Sequence, residues 1–171
     1  LKNIDSVKNF FLTEKNKIKE QFYYNHNGIK CCKLNSDLTD VLIKKIFELT
    51  NPIKLANQDF LICAVGGYGR KHLAPYSDID LLFVYNQKIP EKELKRTIEQ
   101  ILYPLWDLGM KVGHAVRTFK EVISFSKKEQ IIKTSILDAR LILGCNEVFK
   151  KIITQYTKEF SKKARIFLKE K

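Results

Sequence analysis

Residues 59–85 read DFLICAVGGYGRKHLAPYSDIDLLFVY. Two apolar runs, DFLICAV (59–65) and DIDLLFVY (78–85), are of strand length, and Gly66 and Gly67 close the first. Two strands this apolar have to be covered, so the rest of the chain must supply layers that pack on them. The second run opens on Asp78 and Asp80. Side chains at i and i+2 of a strand share a face, so the two carboxylates project together, while Ile79 and Leu81 face the core. Acids beside core strands are rare unless paired or holding a cation. Two ionised carboxylates this close repel, and one resists ionising unless a cation sits between them. Mg²⁺ takes oxygen ligands of this kind, typically one or two carboxylates together with substrate phosphates and water.

The flanking sequence reads as mostly helical. DSVKNFFLTEKNKIKEQF carries a helical apolar stripe through Val7, Phe10, Phe11, Ile18 and Phe22. Residues 23–35, with Asn, His and Gly, read as a loop, and Ser36 as the cap of a second helix, SDLTDVLIKKIFELT, stopped by Asn51-Pro52. Pro90 and Glu91 open a long helix in which Pro104 is expected to introduce a kink or an end. MKVGHAVRT (110–118) reads as a third strand, and Thr118 with Glu121 as a capping box for the next helix. Two further helices are expected near 129–143 and 146–168. The expected fold is α+β: a small mixed sheet flanked and wrapped by helices. Three units are expected within a single domain: N-terminal helices (1–57), a core (58–145) and a basic amphipathic C-terminal helix (146–171).

Composition narrows the function classes. No apolar run approaches the roughly 20 residues of a membrane span, and LKNIDSVKNF lacks the apolar stretch of a signal peptide. A cytoplasmic protein with no membrane contact is expected. Cys31, Cys32, Cys63 and Cys145 form no CxxC pair, and His26, His72 and His114 are too scattered for a zinc site, which leaves reduced thiols. The net charge of +12 favours anionic partners. It is densest after residue 150, where it interleaves with Ile152, Ile153, Tyr156, Phe160, Ile166 and Phe167. A solvated amphipathic helix accounts for that pattern, with a nucleic-acid surface as the alternative.

A glycine pair alone reads as a tight turn. A glycine pair, a short helix and then Ser-Asp-x-Asp on the next strand resembles the signature of the nucleotidyltransferase superfamily. The resemblance narrows to the family of bifunctional PII uridylyltransferase/uridylyl-removing enzymes. GGYGRKHLAPYSDIDLLFVY is similar to that family's GGYGRGEL-x-P-x-SDIDLL stretch. LWDLGMKVGHAVRTFKEVISFS is similar to its LWD-x-G-x-x-VGH-x-VRT segment, and TSILDARLILG to a third block. The blocks run in family order from about residue 60 to 145, and the helix upstream fits more loosely.

The resemblance implies a nucleotidyltransferase-type sheet and transfer of UMP from UTP to a tyrosine of the PII nitrogen-regulatory protein, releasing pyrophosphate. It implies that Gly66 and Gly67 line the nucleotide phosphates, with Ser77 assisting. Arg70 pairs with a phosphate or braces the loop, and Asp78 and Asp80 bind Mg²⁺ (or Mn²⁺). Tyr68 and Tyr76 are expected to pack. Lys71 and His72 depart from the family's Gly-Glu: Lys71 is expected to face solvent, with added charge near a phosphate as the alternative, and His72 to be an ordinary surface or packing residue. Superfamily members commonly use a third carboxylate from a later strand. Here Gly113 and His114 stand on that strand, and Asp107 and Asp138 are the candidates. His114 and Arg117 are candidate nucleotide or substrate contacts. Longer family members also carry an HD-type hydrolase domain and two ACT domains. No His-Asp pair here serves an HD site, so this chain is expected to be a segment or a shortened relative, without uridylyl removal or glutamine sensing.

Two other readings stand beside the transferase. One is a silent module that holds nucleotide or metal without turnover. The other is a nucleotidyltransferase with a nucleic-acid acceptor, which the charge favours and the GGYGR and VGHAVRT blocks do not.

Overall fold

The computed structural model describes residues 3–50, 58–124 and 135–169, with side chains to residue 161. The chain opens with α1 (Ile4–Asn25), started by a capping box in which the Asn3 carboxamide accepts from the Ser6 N–H at 2.8 Å. His26, in the left-handed region at φ 53°, ends it. Then α2 (Gly28–Thr50) begins at once, with the Asn27 carboxamide accepting from the Lys30 N–H at 2.9 Å. The expected loop over 23–35 is therefore a two-residue joint, because the Asn and His signals act as caps. Ser36 is no cap. It lies well inside α2, 0% exposed, donating its hydroxyl to the Cys32 carbonyl at 2.8 Å and accepting from the Leu73 N–H at 3.3 Å.

The sheet holds β1 (Phe60–Ala64), β2 (Ile79–Tyr85), β3 (Val112–Thr118) and β4 (Arg140–Leu143) in the order β3-β2-β1-β4. β1 is antiparallel to β2 and to β4, and β2 is parallel to β3, so the sheet is mixed as expected. The short α3 (Gly66–Gly69) follows β1, α4 (Glu91–Asp107) joins β2 to β3, α5 (Phe119–Ser124) follows β3, and α6 (Asn146–Lys169) closes the chain. The Thr118–Glu121 capping box forms: Thr118 N–H donates to the Glu121 carboxylate at 2.7 Å and Glu121 N–H to the Thr118 hydroxyl at 3.1 Å.

Helices cover both faces. Phe60, Ile62, Ile79, Leu81 and Phe83 pack with residues of α1, α2 and α4, among them Phe11, Ile43, Ile46 and Ile101. Leu61, Cys63, Leu82 and Val84 pack on the other face with Val122 of α5 and Ile152 and Tyr156 of α6. The near-continuous apolar composition of β1 and β2 follows from this double burial. It also leaves the Cys63 thiol so desolvated that its pKa is pushed up to about 12.

One further expectation needs correction. Of the helix expected over 129–143, the part up to 134 lies outside the described residues, 135–137 are helical, and the end, RLIL, is strand β4, antiparallel to β1. Short apolar runs do not distinguish strand from helix, and the open edge of β1 decides here. Pro104, where a kink or an end was expected, lies buried inside α4, which continues to Asp107. No helix among the described residues is long and apolar enough to cross a membrane.

Phe60 lies between Phe47 and Phe83, each ring centroid 6.0 Å away and nearly parallel. Phe60→Ala is expected to lower unfolding free energy by about 3–5 kcal/mol in urea titrations. Tyr24→Ala, at a residue 91% exposed, is expected to change it by less than about 0.5 kcal/mol.

Candidate active site

The turn after β1 is tied to the start of β2. Val65 N–H donates to the Asp80 carbonyl at 3.1 Å. Gly66 then takes φ +59°, a left-handed conformation that glycine adopts without strain. Asp80 lies on β2 opposite Gly113 of β3. A Cβ on Gly66 would stand 3.3 Å from Asp80 Oδ2, and one on Gly113 would stand 2.7 Å from Oδ1. The Asp80 carboxylate therefore sits in a slot walled by two glycines from different elements, which no larger residue would leave open.

Asp78 lies one residue before β2 and is exposed. Burial, and then the charge of Asp78, push the Asp80 carboxyl above the usual carboxylate range. This is the repulsion expected from the sequence. Neither aspartate has a basic partner within ion-pair distance among the described residues, although three acids near the turn do. Asp37 pairs with Lys71 at 2.6 Å, Asp40 with Arg140 at 2.5 Å, and Asp138 with Arg70. In a chain of net charge +12, two adjacent acids left without a base leave a place for a cation. No cluster of three or more metal-binding side chains occurs among the described residues. Two carboxylates suit Mg²⁺ shared with substrate phosphates better than an all-protein cage.

The other singled-out residues divide. Gly67 is in α3, its carbonyl accepting from the His72 N–H at 2.8 Å. Arg70 is engaged by Asp138, the bracing arrangement rather than an open phosphate contact. Ser77 donates its hydroxyl to the Ala74 carbonyl at 2.9 Å and lines a cleft of about 230 Å³ with Lys15, Tyr76 and Lys111. Asp107, at the end of α4, pairs with Lys8 at 3.0 Å. His114 packs edge-on against Phe83 at 6.3 Å, and by strand alternation it lies on the face opposite Gly113. Arg117 shares the Gly113 face by the same alternation, its guanidinium donating to the Val116 carbonyl at 2.7 Å.

Tyr68 packs, 1% exposed, but Tyr76 does not: it is 86% exposed and only the Lys15 ammonium lies over its ring. Lys71 is paired with Asp37 rather than facing solvent alone. The residues missed from sequence are Gly113, Asp40 and Arg140. A glycine inside the VGHAVRT strand was the available signal for the first.

Residues 43–168 match the family model described as nucleotidyltransferase domain. The chain belongs to that family. It carries the domain of a nucleotide-transferring enzyme, on the mixed sheet expected for it. The chain is 36% identical over 167 residues to the bifunctional uridylyltransferase/uridylyl-removing enzyme of Phenylobacterium zucineum, covering 93% of this chain and 18% of that protein. The enzyme of the same name from Caulobacter vibrioides is 38% identical over 168 residues, with 93% and 17% covered. That from Azospirillum brasilense is 36% identical over 148 residues, with 83% and 16% covered. The chain thus spans less than a fifth of the length of these relatives.

Two outcomes follow for this nucleotidyltransferase domain. Gly113→Ala meets only the tip of the Asp80 side chain, so the fold is expected to survive with a small Tm change while nucleotide turnover falls at least ten-fold. The second concerns stability. An acid whose pKa is raised by folding loses stability as pH climbs through the carboxylate range, and none is lost well below it. In metal-free buffer near pH 7, Asp80→Asn is therefore expected to melt above wild type. The gap should close as pH falls below the carboxylate range, as read by thermal denaturation.

Proposed function

We propose that this domain transfers UMP from UTP to a tyrosine hydroxyl of a PII-type nitrogen-regulatory protein, releasing pyrophosphate, in the cytoplasm. The observation that carries the chemistry is the pair Asp78 and Asp80, without basic partners, beside the glycine turn. The uridylyl group and the acceptor rest on the 36–38% identity to proteins named uridylyltransferases.

In this reading the tyrosine hydroxyl releases its proton to water, its oxygen bonds to the α-phosphorus of UTP, the bond from that phosphorus to the bridging oxygen breaks, and pyrophosphate leaves. Asp78 and Asp80 hold Mg²⁺ or Mn²⁺. When bound, the cation neutralises charge on the phosphates and on the departing pyrophosphate. Gly66 and Gly67 let the backbone approach the phosphate chain closely. Gly66 and Gly113 leave room for the Asp80 carboxylate beside the turn. Ser77 and Arg70 act at one remove, Ser77 by closing the turn before Asp78 and Arg70 by bracing α3. In this scheme the catalytic core falls within 58–145, with α1 and α2 packed on it and α6 as the basic outer helix.

Purified protein is to be mixed with Mg²⁺, α-labelled UTP and a PII protein from the same organism, with ATP, CTP and GTP alongside. Label is expected on PII from UTP alone, and Asp78→Asn and Asp80→Asn are each expected to reduce it at least a hundred-fold. Label from another nucleotide, or on RNA rather than on PII, would replace the proposed substrate or acceptor.

A further inference from the structure

The third sequence block, TSILDARLILG, has no role in the chemistry above, yet two of its side chains grip the glycine turn. Asp138 takes the Arg70 guanidinium. Arg140, at the start of β4, donates from Nε to the Gly69 carbonyl at 3.2 Å and from Nη2 to the Tyr68 carbonyl at 3.3 Å. The same guanidinium binds both oxygens of Asp40 on α2, at 2.5 and 3.0 Å. Tyr68 completes the group, its hydroxyl donating to Asp40 Oδ1 at 2.6 Å while the guanidinium carbon stands 5.4 Å from its ring centroid.

Helix α3 has only four residues, far fewer than a helix needs to be stable unaided. The Gly69 carbonyl at its end has no partner within the helix; Arg140 donates to it and also to the Tyr68 carbonyl, which the Lys71 N–H shares. The charge is held in place by Asp40, with the Arg140 and Asp40 side chains only 22% and 13% exposed. The other end of the same short helix is Gly66, one wall of the Asp80 slot. A displacement at Gly69 is therefore transmitted through one turn of backbone to the slot.

We infer that Arg140, held by Asp40, is a positioning residue that fixes the Gly66–Gly69 turn against Asp80 and so sets the affinity for the nucleotide phosphates. The inference rests on the nucleotidyl-transfer reading, and its test does not depend on turnover. Binding of a non-hydrolysable UTP analogue with Mg²⁺ is to be measured by calorimetry, well below Tm, for wild type, Arg140→Lys, Asp40→Asn and Ile152→Val. Ile152, on α6, is buried against the sheet and makes none of the Arg140 or Asp40 contacts that hold the turn, so its variant reports the effect of lost stability alone.

Arg140→Lys keeps the charge but not the forked geometry, and is expected to weaken binding at least ten-fold. Asp40→Asn leaves Arg140 less firmly held and is expected to weaken it three- to ten-fold, which keeps the test open should Arg140→Lys not fold. Ile152→Val is expected to stay within two-fold. Amide exchange at residues 67–70 is expected to quicken in the first two variants and not in the third. Folded Arg140→Lys and Asp40→Asn proteins that bind within two-fold of wild type would overturn the inference. Losses that track Tm equally in all three variants would overturn it too. Wild-type labelling of PII, run beside these titrations, judges the transferase reading separately. A chain that binds the analogue and labels nothing sinks that reading, while the affinity ratios still decide the role of Arg140. A wild-type chain that binds no nucleotide overturns both.

Discussion

The parallel register of β2 on β3 decides whether this site exists. Asp80 falls opposite Gly113, and the flanking β3 residues are Val112 and His114. Side chains alternate with a period of two, so a slip of one residue would set Asp80 beside a larger side chain and turn every β2 residue to the wrong layer. The register is held because both layers are specific. Leu81 and Phe83 belong to the core shared with α1, α2 and α4, and Leu82 and Val84 to the core shared with α5 and α6. Neither set can be exchanged for the other without moving Asp80 into apolar packing. The Ile79 N–H bond to the Lys111 carbonyl at 2.8 Å pins the upper end, and the buried Thr118 with its capping box pins the lower.

Electrostatics then separates the aspartates that build the turn from those beside it. Asp37, Asp40 and Asp138 are each taken by a lysine or arginine, and each pair fastens a different part of the glycine turn. Asp78 and Asp80 have no such partner, and their mutual repulsion is left standing. A basic chain draws phosphate-bearing ligands by its overall field. Two carboxylates inside that field act against it locally.

Much of this was legible in the sequence. The strand pair, the glycine pair between its members and the two acids at the second strand's head are all local patterns. The family resemblance of GGYGR and VGHAVRT extended them. The mixed sheet and the β3 strand followed from the same runs. What sequence did not show is tertiary. RLIL has the composition of either a strand or a buried helix turn, and it is a strand because β1 offers an unpaired edge. The Asn and His near residue 26 are turn formers in isolation, and they cap two long helices because each helix has a core face to bury. Arg140 reads as an ordinary basic residue, and its four contacts come from elements far apart in sequence.

The stretch of α2 from Ser36 to Asp40 matters for the site. Lys71 stands at φ 62°, a conformation that costs a non-glycine residue roughly 1–2 kcal/mol, where the resembling family pattern has glycine. Its half-exposed ion pair with Asp37 is worth at most about 1 kcal/mol, so the pair alone does not hold it there. The backbone does, through Lys71 N–H to the Tyr68 carbonyl at 3.1 Å and His72 N–H to the Gly67 carbonyl at 2.8 Å. Ser36, Asp37 and Asp40 then meet this segment from one side: Ser36 at the Leu73 N–H, Asp37 at Lys71, and Asp40 at Tyr68 and Arg140. Residues three and four apart share a helix face, so this set of contacts requires α2 to be helical through residues 36–40. A loop ending at Ser36 would leave that serine at a frayed terminus. A helix that begins at Gly28 and buries Ser36 makes α2 a rail along which the glycine turn is fixed.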